Sequence, residues 1–331
     1  MDEMPLVTVI MPCFNAAATV ERAINSVLGQ TFADFELIVV NDASTDNTVE
    51  IIQAMAARTG DARLQLLDMK TNSGPSGVRN EALRTAAGTF VAFLDSDDEY
   101  LPEFLAHHVA ALGDGVDISI AGHLVIRPDG SQTARHSQFI GQCTGLEAMR
   151  SAMLDDILPF AWDKVYRRTL FEAISFPEGS TRFEDMTINI LLDSRARAVT
   201  SSPIPLNRYY ISSESLTWGR IPSKSDSDLA LADLHEHLPA EFRHGRFAKP
   251  YASMRLLITM IVAQSAIMKL KHQPEAAATI ADCRKALEFS WIWAAVFVKP
   301  KFAAAALLLK VAPNTFARIY LRHSAASYGL D

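Results

Sequence analysis

Two hydrophobic periods alternate along the first hundred residues of the chain. Four short apolar runs predict buried strands, and the segments between them carry apolar residues at the spacing of a helix face. The β-α-β-α-β-α-β order that results predicts an α/β protein with a mostly parallel central sheet flanked by helices. The predicted strands are LVTVIM (6–11), FELIVV (35–40), RLQLLDM (63–69) and TFVAFL (89–94).

Beyond the fourth predicted strand the pattern changes twice. Short helices and strands are mixed first, and an alanine-rich helical pattern then continues to the end of the chain. We therefore predict one α/β domain followed by a helical extension. The predicted boundaries are 1–222 for the domain, with halves at 1–115 and 116–222, and 223–331 for the helical C-terminal region.

The composition is that of a soluble globular protein, because 49% of the 331 residues are hydrophobic and 21% are charged. Three widely spaced cysteines without a CxxC motif argue against a disulfide framework and a thiolate metal site, and favour a reducing compartment. The N-terminal segment lacks the features of a signal peptide, and no uninterrupted apolar run approaches the ~18 residues of a membrane-spanning helix. A cytoplasmic protein is expected.

The charge is unevenly distributed along the chain. Residues 1–100 hold 6 Lys and Arg against 15 Asp and Glu, whereas residues 283–331 hold 7 against 2. The acidic first part argues against a nucleic-acid partner and suits a metal site. In the basic tail, Trp291 and Trp293 stand near Lys299. This pattern fits either peripheral contact with the cytoplasmic face of the inner membrane or a helical appendage packed on the core.

Carboxylates crowd the end of the fourth predicted strand in the stretch FLDSDDEY (93–100). Ligands of parallel sheets bind at the carboxyl ends of the strands. If the backbone stays extended, Asp95 and Asp97 project the same way, and Mg²⁺ or Mn²⁺ takes one or two carboxylates together with substrate phosphates. We therefore predict a divalent ion at Asp97 that bridges to a diphosphate. Asp98 and Glu99 are expected to form a solvated turn before a helix.

The tip of the first strand has no glycine cradle for phosphates, because the chain contains neither GxGxxG nor GxxxxGK[ST]. It carries PCFN instead, in which Asn15 can cap the following helix. Phe14 can stack on a nucleotide base while Asp42, at the end of the second strand, accepts from a base N–H. The alternative is that Phe14 is a core residue and Asp42 a turn residue.

Dense motifs run through residues 6–102, among them VTVIMPCFN, VVNDASTDNT, NSGPSGVRN and FLDSDDEYLP. Further motifs are WDKVYRR, FED and RYYISSESLT, the last ending at residue 217. Together they resemble the family-2 glycosyltransferases with the GT-A fold, which have a Rossmann-like nucleotide-binding sheet. The resemblance implies a nucleotide-sugar-binding half over 1–115, an acceptor half over 116–222, and a role in bacterial exopolysaccharide, capsule or lipopolysaccharide synthesis.

The resemblance also implies roles for individual residues. Asp97 would hold the metal, Asp185 would be the catalytic base, and Glu184 would lie near the acceptor. Trp162 is a candidate sugar-stacking ring for the acceptor, with core packing as the alternative, and Lys164 matches a lysine of the family. The implied donor contacts are Pro12, Phe14, Asn15, Asp42, Arg79, Asp95 and Ser96.

The implied reaction is a metal-dependent, inverting hexosyl transfer from a nucleotide sugar, expected to be a UDP-sugar, to a glycan or a lipid-linked saccharide. Two features depart from the family pattern: Val78 replaces the usual Ala, and no His follows RYY, so we expect no second protein ligand for the metal. Two alternatives stay open. One is a sugar-1-phosphate nucleotidylyltransferase, whose glycine-rich loop with Arg is missing after the first strand. The other is a catalytically weak nucleotide-sugar-binding partner of a polysaccharide assembly complex.

Overall fold

The protein is described here from a computed structural model. The structure describes residues 4–179, 182–211, 223–270, 273–274 and 276–328. It divides into two compact units. The first comprises Met1–Ala152 and Asp156–Ser213, and the second comprises Met153–Asp155 and Glu214–Asp331.

The first half of the N-terminal unit alternates strands and helices as the hydrophobic pattern predicts. Its elements are β1 (Val7–Cys13), α1 (Val20–Leu28), β2 (Phe35–Asp42), α2 (Thr48–Thr59), β3 (Leu64–Met69), α3 (Gly74–Thr85) and β4 (Phe90–Phe93). The four strands are parallel and lie in the order β3-β2-β1-β4. The predicted α/β class and the parallel arrangement of these strands are confirmed.

The second half of this unit extends the same sheet with a mixed set of strands. Its elements are β5 (Glu99–Tyr100), α4 (Phe104–Ala111), β6 (Ile118–Ile126), β7 (Gln132–Arg135), β8 (Gly141–Thr144), α5 (Gly145–Met153), β9 (Lys164–Arg167), α6 (Glu184–Asp193) and β10 (Ala198–Tyr210). Strand order continues as β4-β9-β6-β10-β5, and β9 runs antiparallel to both of its neighbours. Because β9 is antiparallel to β4, the segment that precedes Lys164 lies at the carboxyl end of β4.

The central strands are buried on both faces, as strands of a helix-covered parallel sheet must be. Helix α1 packs on one face through Val20, Ala23, Ile24 and Val27, which recur at helical spacing and are fully buried. Gly88 permits the close approach of β4 to β1, because a Cβ at this position would lie 2.5 Å from the backbone nitrogen of Thr8. Only glycine fits at this point without displacing the backbone.

The C-terminal unit is helical. Its helices are α7 (Lys224–His237), α8 (Ala248–Lys269), α9 (Ala276–Ala286), α10 (Phe289–Val296), α11 (Pro300–Val311) and α12 (Pro313–Tyr328). Helix α8 is the core of this unit and contacts each of the others. The segment Gly245–Lys269 is long and apolar enough to cross a membrane, although no uninterrupted apolar run predicts it. Since 67% of its apolar window is buried inside the protein, it has the pattern of a core helix.

The prediction that the C-terminal region is helical is therefore confirmed. The predicted boundary at residues 222 and 223 stays a prediction, because residues 212–222 lie outside the described residues. The division of the first unit into halves at residue 115 also stays a prediction.

Candidate active site

The carboxyl ends of the parallel strands gather the predicted site residues at one edge of the sheet. Cys13 pairs with Asn41 in the ladder between β1 and β2, and Ile10 pairs with Phe93 in the ladder between β1 and β4. The residues that follow each strand therefore emerge side by side. Those brought together in this way are Pro12, Phe14, Asn15, Asp42, Asp95, Ser96 and Asp97.

The loop after β1 is tied to the loop after β2. Asn15 has a left-handed backbone, with φ of +50°. Its backbone N–H donates to Ser44 Oγ over 2.9 Å, and its Oδ1 accepts from the backbone N–H of Thr45 over 2.8 Å. The predicted capping of α1 by Asn15 is wrong, because α1 begins at Val20 and the amide is used across the two loops. The bonds hold the rim of the sheet in a defined shape.

Phe14 and Asp42 differ in their exposure to solvent. The Phe14 ring is 51% exposed at the rim, so the alternative that it is a core residue is wrong. Asp42 is buried, and its two oxygens accept from the backbone N–H groups of Ser73 (2.7 Å) and Gly74 (2.9 Å). The Asp42 carboxylate thus fixes the start of α3. Each oxygen retains a second lone pair, so the base contact stays a prediction.

Arg79 on α3 joins two parts of the site that are far apart in the sequence. Its guanidinium donates to Asp95 Oδ1 over 2.9 Å and to Asp185 Oδ1 over 3.3 Å, and lies 3.6 Å from Glu184 Oε1. The side chain is only 3% exposed and lies over the ring of Phe176, with 5.2 Å to the ring centroid. Arg79 therefore connects the end of β4 to the start of α6.

Neighbouring carboxylates stabilise the positive charge of Arg79. Burial disfavours the guanidinium charge, but the carboxylates of Asp185, Asp95 and Glu184 outweigh burial and raise the pKa of Arg79. Asn80 on the same helix supports this arrangement, because it bonds the backbone of Phe176 through both its Nδ2 (3.0 Å) and its Oδ1 (2.8 Å). The loop beneath the guanidinium is fixed by these two bonds.

Helix α6 begins with the two acidic residues of the FED motif. Phe183 before them has φ of +70°, a left-handed conformation that is strained for a bulky residue. Asp185 Oδ2 accepts from the backbone N–H of Ala161 over 3.0 Å. Burial raises the pKa of Asp185, and burial together with Asp185 raises the pKa of Glu184 to about 7. Both carboxyls therefore titrate nearer to neutrality than ordinary ones.

The three acidic residues of the DDE segment (97–99) have three different environments. Asp97 is half-buried, and burial together with the nearby Asp95 raises its pKa to about 6. The solvated turn expected for Asp98 and Glu99 is wrong. Asp98 is fully buried and its Oδ1 accepts from the backbone N–H of Tyr210 over 2.9 Å, while Glu99 lies in β5 beside Arg208 and the Tyr210 hydroxyl.

Arg22 is a site residue that sequence reasoning did not identify. It lies on α1 and donates to the backbone carbonyl of Asp97 over 2.5 Å. Its guanidinium stacks on the Tyr210 ring, 3.9 Å from the centroid. The contact spans 75 positions of the chain, and no local spacing signals it. At the end of β1, burial raises the pKa of the Cys13 thiol to about 12, which disfavours the reactive thiolate form.

The predicted acceptor residues lie beside α6. Trp162 is 3% exposed and stacks nearly parallel on Phe160 and Tyr209, with centroids 4.6 and 5.3 Å away. Lys164 is fully buried, and its ammonium donates to Asp163 Oδ1 (2.7 Å) and to the backbone carbonyls at 158 (2.8 Å) and 160 (2.6 Å). An acceptor contact through Lys164 would have to replace one of these bonds. The roles of both residues stay predictions.

The side chains at the strand ends can be tested for their fit to a divalent metal ion. Within the residues that the structure describes, no group of three or more His, Cys, Asp and Glu side chains is arranged to hold a metal ion. Asp98 does not face the rim, since it is buried against Tyr210. The carboxylate of Asp97, close to Asp95, fits an ion that takes one or two protein oxygens and the rest from a diphosphate.

Comparison with known proteins decides the family. The sequence model of "Glycosyl transferase family 2" matches residues 8–175, which is the part that holds the strand-end loops, Arg79 and the DSD segment. The chain belongs to glycosyl transferase family 2. It is a glycosyltransferase with the GT-A fold, and the predicted family and enzyme class are confirmed.

One sequence relative and two solved structures of similar fold illustrate the match. A "UDP-Glc:alpha-D-GlcNAc-diphosphoundecaprenol beta-1,3-glucosyltransferase WfgD" of Escherichia coli is 30% identical over 219 residues, 66% of this chain and 81% of the relative. The solved structure of S. aureus TarS 1-349 with UDP-GlcNAc has a TM-score of 0.68 at 20% identity, covering 97% of this chain and 91% of the TarS 1-349 chain. The mannosyltransferase PcManGT of Pyrobaculum calidifontis, solved with GDP-Man and Mn2+, has a TM-score of 0.54 at 19% identity, covering 100% and 89%.

Substitution of Arg79 tests the ionic cluster. Arg79→Met leaves three carboxylates without their cation, so the free energy of unfolding should fall by about 3–5 kcal/mol at pH 8. The loss should be smaller at pH 5. The cation's removal raises the already elevated pKa of Glu184 and Asp185 further, and both groups are then neutral in the folded protein at low pH. Denaturant titrations at the two pH values measure this.

Arg84→Met is the matched control, because Arg84 lies on the same helix but 66% of its side chain is exposed. Its ion pair with Glu81 is a surface pair, so the change should stay within about 0.5 kcal/mol. Equal losses for the two variants, or a loss at Arg79 that does not depend on pH, would contradict the role assigned to the cluster.

The buried carboxyl of Asp98 gives a second test. Burial raises its pKa well above the ordinary value, and Asn keeps an oxygen acceptor for the Tyr210 N–H. Asp98→Asn should therefore change the free energy of unfolding by less than about 1 kcal/mol, whereas Asp98→Ala should cost about 1–3 kcal/mol because the N–H loses its partner. Thermal and denaturant unfolding at pH 7 separate the two. Equal losses for Asn and Ala would show that the charge itself is needed, because both variants lack the charge and only Asn keeps the acceptor.

Proposed function

We propose that this glycosyltransferase is a metal-dependent, inverting enzyme. It transfers a hexosyl group from a UDP-sugar to a lipid-linked saccharide in the synthesis of a bacterial surface polysaccharide. The observation that carries the proposal is the contact of Arg79 with both Asp95 and Asp185, because it joins a donor-side carboxylate to a base-side carboxylate. The name of the E. coli relative, which acts on a diphosphoundecaprenol acceptor, and the UDP-GlcNAc in the TarS structure support the substrate classes.

The donor half of the site supplies contacts for the nucleotide. Phe14 offers an exposed ring on which the base stacks, and Asp42 offers lone pairs to a base N–H at the adjacent strand end. Asn15 and Pro12 shape the rim between them, since Asn15 locks the two loops together. Asp95 and Ser96 lie on the ribose side, and Arg79 holds Asp95 in place.

Asp97 is the residue we assign to the metal. A divalent ion there, Mn²⁺ or Mg²⁺, would neutralise the negative charge that develops on the leaving diphosphate. Two observations support the assignment. Burial and the nearby charge of Asp95 raise the pKa of Asp97, and Arg22 holds the residue in place by donating to its backbone carbonyl. The Mn2+ in PcManGT, which shares the fold, agrees with this.

Asp185 is the proposed general base. Its Oδ2 is oriented by the N–H of Ala161 and its Oδ1 by Arg79, which fixes the direction in which it accepts a proton. In the reaction, the acceptor hydroxyl oxygen bonds to C1 of the sugar, the C1–O bond to the diphosphate breaks, and the hydroxyl proton passes to Asp185. Burial raises the pKa of Asp185 toward neutral pH, which suits a general base that must take up a proton. Glu184 lies beside it, toward the acceptor.

A surface-polysaccharide role implies a cytoplasmic enzyme that works at the inner face of the membrane, where a lipid-linked acceptor is accessible. The two alternative functions differ from this one in their products. A nucleotidylyltransferase would release pyrophosphate, and a catalytically weak binding partner would release nothing above background. A UDP-release assay with a panel of UDP-sugars and lipid-linked saccharides, with and without Mn²⁺, separates all three.

The metal assignment predicts the behaviour of Asp97→Asn. The variant should fold normally, should lose more than about 100-fold of its turnover, and should bind UDP equally with and without Mn²⁺. The control is Asp98→Asn, one residue away, which should keep the Mn²⁺-dependent increase in UDP affinity measured by calorimetry. Full wild-type activity in EDTA would refute the assignment.

The base assignment predicts the behaviour of Asp185→Asn. This variant keeps the shape of the side chain but cannot take a proton, so kcat should fall by about 10²–10⁴-fold while the Kd for UDP is nearly unchanged. Wild-type kcat should decrease as the pH falls through the raised pKa of the base, because protonation removes the acceptor for the hydroxyl proton. The decrease should therefore begin at a higher pH than for an ordinary aspartate, and the residual activity of the variant should lack it.

Two further variants complete this experiment. Asp193→Asn is the matched control, since Asp193 lies at the other end of α6 and burial also raises its pKa, to about 7. Its kcat should stay at the wild-type value. Glu184→Gln should raise the acceptor KM more than it lowers kcat. Loss of UDP binding in Asp185→Asn, or near-normal kcat, would mean that the base lies elsewhere.

A further inference from the structure

Helix α10 turns large apolar side chains toward the solvent. Phe289 is 60% exposed, Trp293 is 68% exposed, and Val296 and Phe297 are 41% and 56% exposed. Phe297 directly follows the last residue of α10, and the spacing of four, three and one residues places the four side chains on one face. We call these four residues the aromatic patch. Soluble proteins seldom expose so many large apolar side chains together unless the surface binds something.

The exposure of these four side chains results from the way in which α10 packs, and not only from its apolar composition. The opposite face of α10 is buried through Trp291, Ile292 and Ala295, and the guanidinium of Arg255 lies 3.9 Å from the Trp291 ring centroid. The two tryptophans of the WIW sequence therefore have different environments. Trp291 belongs to the core of the C-terminal unit, and Trp293 belongs to its surface.

Exposed apolar side chains also occur on the two helices that follow α10. Helix α11 exposes Leu307 (42%) and Val311 (62%), and helix α12 exposes Ile319 (55%). The end of α11 lies beside the start of α10, because Lys310 Nζ is 5.4 Å from the ring centroid of Phe289. The end of α11, where Val311 is exposed, therefore lies close to Phe289 of the patch.

The charge around the patch is mostly positive, and the exposed carboxylate of Glu288, which precedes Phe289, is the exception among the residues named here. Lys249 Nζ lies 4.3 Å from the ring centroid of Phe297, and Lys310 lies at the other end of the patch beside Phe289. Lys301, Arg318 and Arg322 are exposed on the helices that follow. Residues 283–331 hold 7 Lys and Arg against 2 acidic residues, although the whole chain carries a net charge of −7. The positive charge is therefore concentrated where the apolar side chains are exposed.

We propose that the aromatic patch docks the protein on a phospholipid bilayer with anionic headgroups. The side chains of Trp293, Phe289 and Phe297 enter the headgroup region, and the surrounding lysines contact the lipid phosphates. Amphipathic aromatic rings favour the membrane interface, and cations beside them gain from the negative surface potential of the leaflet. Charge complementarity is what selects an anionic membrane over a neutral one. The inference rests on the C-terminal unit and does not depend on the proposed function.

Vesicle flotation tests the proposal with the full-length protein. One set of vesicles is pure phosphatidylcholine, and in the other about a third of the lipid is phosphatidylglycerol. We expect recovery with the anionic vesicles, little recovery with the neutral ones, and a decrease at high salt. The double variant Trp293→Ser/Phe297→Ser should bind the anionic vesicles about tenfold more weakly or worse, since two apolar anchors are removed.

The controls separate membrane binding from folding and from catalysis. Ile140→Ser changes a residue of the N-terminal unit that is 44% exposed, and it should float like the wild type. Lys249→Glu/Lys301→Glu should abolish the preference for anionic vesicles. The Trp293→Ser/Phe297→Ser variant should keep the circular dichroism of the wild type and its release of UDP in solution, so that failure of vesicle binding and failure of the proposed function are distinguishable.

Tryptophan fluorescence distinguishes the two faces of α10. Trp emission should shift to the blue when anionic vesicles are added, the shift should be lost in Trp293→Phe, and it should persist in Trp291→Phe. Equal recovery from neutral and anionic vesicles, no recovery at all, or a shift carried by Trp291 would overturn the proposal. So would a concentration-dependent dimer that Trp293→Ser abolishes in the absence of lipid, because a second copy of the chain would then cover the patch.

Discussion

The buried charge of Arg79 is the constraint on which the geometry of the site depends. A guanidinium taken out of water is stable only where anions compensate the lost hydration, and here Asp95, Asp185 and Glu184 surround it. The same contacts fix the carboxylates, which come from the end of β4 and the start of α6. The ion pairs therefore set the distance between the proposed donor and acceptor sides.

Local environment gives neighbouring carboxylates separate tasks. Asp97 stays half-exposed at the rim, Asp98 is buried against the Tyr210 backbone, and Glu99 is held by Arg208 and the Tyr210 hydroxyl. Repulsion among so many acidic groups is relieved in part by burial that favours their neutral forms and in part by nearby arginines. The crowding noticed in the sequence thus needs more than a metal ion to explain it.

The C-terminal unit is organised around α8 and not around the sheet. Helix α8 is buried along most of its length, and α10 covers it with one face while the aromatic patch faces outward. An exposed aromatic face beside a positive surface is unfavourable for a protein that stays in water, but it is favourable at an anionic membrane. The proposed active site and the proposed membrane contact therefore belong to different units of one chain.

The sequence by itself determined the alternation of strands and helices over residues 6–94 and the edge of the sheet where the candidate site lies. These features follow from local periodicity and from the rule that ligands bind at the carboxyl ends of parallel strands. Motif similarity added the family and named Arg79, Asp97 and Asp185. Only the tertiary structure decided which neighbours of these residues are buried, since burial depends on segments far away in the chain.

Three residues illustrate that limit. Asp98 was expected in a solvated turn, but β10 returns across 112 positions and covers it. Arg22 gave no local signal, because its contact with Asp97 depends on how α1 packs on the sheet. Trp293 cannot be told from Trp291 by composition, since both stand in one apolar run. Packing against α8 buries one ring and exposes the other, because a helix can turn only one face toward its neighbour.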